Sequence, residues 1–103
     1  MKMKLLTKDI VAKLVNAGYD GTRPICKLFC PWNSATWLIT GIEDRILYGY
    51  ADLGLGCVEW GSIGTVEELM SIQGPFGLKI ERDLYWSDKP EINYLELDSI
   101  AAV

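Results

Sequence analysis

The residues best equipped for chemistry lie near the C-terminal end. There GPFGLKIERDLYW, residues 74–86, sets Glu81, Arg82 and Asp83 between Ile80 and Leu84-Tyr85-Trp86. Two kinds of chemistry fit an acid–base–acid triplet in an apolar stretch. Paired carboxylates facing one cleft can divide general-acid and general-base work. On a strand Glu81 and Asp83 share a face about 7 Å apart, with Tyr85 as the accompanying hydroxyl. In the other case Arg82 reaches back to a carboxylate or to strand carbonyls, and its neighbours stay at the surface. A guanidinium, with its planar fork of donors, suits such a partly buried clamp better than an ammonium. The clamp is the plainer reading.

The remaining chemistry is defined by what is missing. The chain contains no histidine. That excludes Ser-His-Asp and Cys-His nucleophilic machinery and histidine-based metal sites. Cys26 and Cys30 are four apart, so on a strand they stand about 13 Å from one another, too far for a disulfide or for sharing one metal ion. Cys57 has no partner in sequence, and three cysteines suit a reduced, cytoplasmic setting. The glycines of GLGC and GSIGT match neither a phosphate loop nor a dinucleotide fingerprint. No metal and no cofactor is expected.

Aromatic residues are plentiful: four tryptophans and five tyrosines in 103 residues. A core absorbs several, and exposed ones make a recognition face, because Trp, Tyr and Arg dominate interface hot spots. The candidate binding residues are Trp37, Tyr48, Tyr50, Trp60, Glu81, Arg82, Asp83, Tyr85 and Trp86. Stacking on single-stranded nucleic acid is another use of such a face. It lacks the basic groove it would need, since the net charge is −4.

The elements that must position these residues read as one α+β domain spanning 1–103. Residues 5–17 form a helix capped by Thr7, with Leu6 and Val11 as a staple, an apolar stripe of Ile10, Val11, Leu14 and Val15, and Gly18 as its stop. The basic start fails as a secretion signal because Lys8, Asp9 and Lys13 interrupt its apolar run. No run is long enough to cross a membrane. Residues 25–30, 35–42, 45–53 and 57–63 read as strands joined by short turns, with Glu43-Asp44 between the second and third. They predict an antiparallel meander of about four strands packed by two or three short helices. Thr65 and Glu68 form a capping box for a helix ending near Gln73, where GPFG stops it. Residues 78–86 fit either a strand, with Ile80, Arg82, Leu84 and Trp86 on one face, or a helical turn. The tail, 90–103, is expected as an edge strand or a frayed end.

The order of these segments, and above all ELMSIQGPFGLKIERDLYW, resembles a small bacterial family known as domain of unknown function 2958. The likeness spans nearly the whole chain. Glu68-Leu69 and Gly74 to Trp86 are its specific part, with Trp86 where the family usually has Phe. The resemblance implies a single-domain protein carried on plasmids, integrative elements and phages, near accessory and anti-restriction genes, and transfers no catalytic residue. The expected function is therefore a non-enzymatic protein-interaction module that modulates a host or defence protein, as an anti-CRISPR or anti-restriction inhibitor does. The alternatives are a small carboxylate-dependent enzyme and a single-stranded nucleic-acid-binding accessory protein.

Overall fold

The computed structural model describes residues 5–87 and 93–100. The basic start of the chain, with Lys2 and Lys4, and tail residues 88–92 and 101–103 lie outside the described residues. Helix α1, Lys8–Ala17, begins where Thr7 Oγ1 accepts the Ile10 N–H at 3.2 Å. It ends at Gly18, whose φ of 73° lets its N–H turn back to the Leu14 carbonyl at 3.0 Å. Leu14 is fully buried, and Ile10 and Val11 pack beside it. Val15, expected on the same stripe, is 61% exposed. One residue beyond Leu14 is a 100° rotation about the helix axis, enough to carry Val15 off the buried face.

Strands β1 (Cys26–Phe29), β2 (Thr36–Glu43), β3 (Ile46–Asp52) and β4 (Glu59–Thr65) follow in antiparallel succession. The β2–β3 turn sits on Asp44-Arg45, one residue later than the sequence suggests, because Glu43 still pairs with Ile46. Both turn residues have positive φ, 51° and 70°. That is the sense of turn whose twist matches the flanking strands. β4 starts and ends two residues later than expected, so the LGLG turn and Cys57 stay in the loop. Its last residue, Thr65, caps helix α2, Val66–Ser71. The capping box forms: Thr65 Oγ1 accepts the Glu68 N–H at 3.1 Å, and Glu68 Oε1 accepts the Thr65 N–H at 3.2 Å. α2 stops at Ser71, short of Gln73, because Ile72 turns extended and Gln73 bridges to Lys79. A fifth strand, β5 (Glu81–Arg82), then pairs with β1, and the sheet order is β4-β3-β2-β1-β5. Residues 78–86 thus contain a strand of two residues followed by a turn, not a helix.

The sheet carries a core on each face. Trp37 and Ile39 of β2 point toward the helices and join Leu14, Leu28, Leu47, Leu69 and Ile80. Leu38, between them, points the other way and joins Tyr50, Val58, Tyr94 and Ile100. Alternation along a strand makes this division unavoidable. α1 crosses β2 closely, since a Cβ at Gly41 would run into the Gly18 carbonyl. Over 93–100 the tail makes a 3-10 turn, Tyr94–Glu96, docked by the fully buried Tyr94 and Ile100, in place of an edge strand. No described helix is long and apolar enough to cross a membrane.

Candidate functional site

β5 divides the charged triplet between the two faces of the sheet. Arg82 stands opposite Leu28, on the helix side, and its Nη1 donates to the Leu5 carbonyl at 2.7 Å. The clamp therefore holds the segment that leads into α1. β5 itself is tied to the sheet by its own backbone, including the Asp83 N–H to the Lys27 carbonyl at 2.9 Å. Glu81 and Asp83 lie on the other side. Asp83 Oδ1 accepts the Tyr85 N–H at 2.9 Å, and the Trp86 N–H returns to the Asp83 carbonyl at 3.4 Å. This turn lifts Tyr85 entirely into solvent, 99% exposed, and brings Trp86 back onto the Leu38–Tyr50–Tyr94 cluster.

A second tip precedes it. The Gln73–Lys79 bridge continues in a Gly74 N–H to Leu78 carbonyl bond of 2.8 Å and a Leu78 N–H to Pro75 carbonyl bond of 3.1 Å. Gly74 lies against the Trp32 indole, which a Cβ would strike. At the apex Phe76 adopts φ 57°, ψ 26° and is fully exposed. A bulky residue in this left-handed region is an outlier. Met70, Ile72 and Leu78 flank the tip in sequence and are also exposed. Sequence reasoning passed over Phe76 by reading GPFG as a helix stop and a turn and not as a tip that presents a side chain. Proline, then a residue, then glycine between two extended runs was the signal for a presented tip.

The aromatic candidates separate in the same way. Trp37 and Tyr50 are packed inside, on opposite faces. Tyr48 and Trp60, diagonal neighbours across β3 and β4, stack with ring centroids 6.1 Å apart and 24° between planes. Tyr19 meets Tyr48 edge-on at 6.1 Å, so Tyr19, Tyr48 and Trp60 form a row running to the β4 edge.

Asp52, at the end of β3, escaped notice in the sequence although Asp followed two residues later by Gly is a turn signal. Its carboxylate is buried and accepts the Gly54 N–H at 2.9 Å and the Ile100 N–H at 3.1 Å. Burial pushes its pKa up, but these two donors and the Ser99 side chain outweigh burial and hold it below the ordinary aspartate range. Asp52 is thus the latch for the tail. Cys26 and Cys30 are buried and Cys57 is exposed, none of them in a disulfide among the described residues, and burial pushes the Cys30 thiol up. Among the described residues no group of three His, Cys, Asp or Glu side chains stands together as a metal-ligand set. An open depression between α1 and β1 is lined by Lys13, Asn16, Thr22 and Arg23, and a 60 Å³ cavity by Leu53, Leu55, Cys57 and Glu59.

No curated protein and no solved structure matches the chain. A family match does run along nearly the whole chain, through the Phe76 tip, the Arg82 clamp and the docked tail alike. Residues 3–102 match the family described as Protein of unknown function (DUF2958), and the chain belongs to it.

Proposed function

We propose that the protein is a non-enzymatic interaction module that modulates a host or defence protein, in the manner of an anti-CRISPR or anti-restriction inhibitor. The observation that supports this is Phe76. Its ring touches nothing that folding needs, it is fully exposed, and its backbone is held in a left-handed conformation. Such a conformation costs a side-chain-bearing residue about 1–2 kcal/mol. Strain of this kind persists only where the surrounding structure holds it, and it clusters at functional sites. Tyr85, on its own hydrogen-bonded turn, is a second anchor of the same design. Aromatic side chains on pre-set turns lose little entropy on docking, which is what interface anchors require.

Phe76→Gly separates binding from folding, because glycine accepts the left-handed conformation that phenylalanine resists. The variant should melt at or above the temperature of the parent protein. In hosts carrying an active restriction or CRISPR system, the parent should raise phage plating and Phe76→Gly should not. A parent protein that leaves plating unchanged in every such host refutes the inhibitor. A Phe76→Gly protein as potent as the parent refutes Phe76 as the anchor.

A further inference from the structure

The sheet ends in two unlike edges. At one, β5 is only two residues long and leaves at once into the Asp83 turn. At the other, β4 runs for seven residues, and no described strand pairs with its outer side. Glu59, Trp60 and Ser62 are exposed along it. Edge strands of this length are normally blunted by lysine, proline or inward charge. β4 has none of these and carries a single charged residue, Glu59; its bulge, at Ile63 between the Leu47–Gly64 and Tyr48–Ser62 pairs, lies beyond the Glu59–Ser62 run.

Gly61, at its centre, is also unexplained by the single chain. Its φ is not positive, and a Cβ there would meet nothing within 4 Å. Glycine inside a strand weakens it. It marks a bulge, a tight bend, or a place where a ligand or second backbone comes close.

We infer that β4 pairs with β4 of a second copy of this chain, antiparallel about a two-fold axis through Gly61, making one continuous sheet. The register is self-complementary. Gly61 faces Gly61, Trp60 faces Ser62, and Glu59 faces Ile63. Trp60, the largest side chain, meets a small one, and the only charge meets an apolar neighbour. Like charges directly opposite would destabilise the pair, and this axis avoids them. The peptide groups that alternation turns away from β3 are those of Trp60 and Ser62, the residues that this register makes a hydrogen-bonded pair. The Tyr19–Tyr48–Trp60 row then meets its symmetry mate across the new seam. Because β5 offers no matching edge, pairing closes at two copies instead of running on into a fibre.

The test uses the open space beside Gly61. Gly61→Glu and Gly61→Lys each place a side chain where the single chain has room, but across the axis each sets like charges face to face. Sedimentation at micromolar concentration should give the parent protein the mass of two chains and each variant the mass of one. An equimolar mixture of the two variants should regain the doubled mass as a heterodimer, since opposite charges then meet. Thermal unfolding at a concentration where the parent is a single chain should leave both variants as stable as the parent. A parent protein of single-chain mass at every concentration overturns the inference. So does a Gly61→Glu protein that keeps the doubled mass, or a mixture that stays at one chain.

Discussion

At the scale of single residues, the polar groups that matter most tie distant parts of the chain together. Arg82 bonds to a carbonyl 77 positions earlier, and Asp52 to a backbone N–H 48 positions later. Arg82→Ala should leave the Leu5 carbonyl short of a donor in a partly buried site, at a cost of about 1–3 kcal/mol. Arg82→Lys should recover only part of this, because the ammonium lacks the fork. Thermal melting of the two variants beside the parent measures it, and an unchanged melting temperature for Arg82→Ala would release Arg82 for a partner instead. Asp52 makes a pH prediction. Its pKa is lower in the folded protein than in the unfolded chain. Its contribution is therefore complete above about pH 4, the unfolded aspartate value, and is lost as pH falls through the lower folded value. Asp52→Asn should lower stability at neutral pH, since Gly54 and Ile100 donate to different carboxylate oxygens and the amide NH2 that replaces one of them cannot accept. It should also flatten this part of the acid limb. Urea titrations across that window test it, and parallel acid limbs for parent and variant would rule out the latch.

At the scale of elements, local signals fixed most boundaries to within two residues. The capping box was legible because Thr65 and Glu68 satisfy each other's backbone within a single turn. α2 has only six residues, too short to persist without tertiary support. Thr65→Ala should therefore cost about 1 kcal/mol, read as a shift of the urea midpoint with an unchanged slope. No shift would mean that Leu69, buried in the helix-side core, anchors α2 without help from its cap. The end of α2, two residues short of Gln73, was decided by a competitor that sequence periodicity does not weigh. The Gln73–Lys79 bridge and the Pro75–Gly77 tip draw Ile72 and Gln73 into extended backbone.

At the scale of the whole molecule, the tail decides whether the second face of the sheet is dry. Tyr94 and Ile100 have no exposed surface, although the tail reads as polar before it turns apolar. Ile100→Ala should cost about 2–5 kcal/mol. Leu95→Ala, at a residue 53% exposed in the same turn, should fall within about 0.5 kcal/mol of the parent. Equal effects in denaturant unfolding would mean that the tail is not part of the cooperative unit. The Tyr94 hydroxyl is buried without a hydrogen-bond partner among the described residues. Tyr94→Phe should accordingly leave stability unchanged or raise it, because no bond is lost and a desolvated polar group is removed.

The sequence by itself determined what depends on neighbours along the chain. α1 followed from Thr7, Gly18 and the Ile10–Leu14 spacing. The meander followed from alternating strands with short turns, and the second cap from Thr65 and Glu68. Membership of the family followed from the Gly74–Trp86 signature, whereas Arg82 stood between a clamp and a working site. Only the tertiary structure decided which partner Arg82 holds and that Trp37 and Tyr50 face inward. It alone placed Asp52 against Ile100 and β4 at an open edge. Each of these is set by contacts between residues far apart in the chain or by the order of strands in a sheet. Neither leaves a period or a motif in the residues themselves.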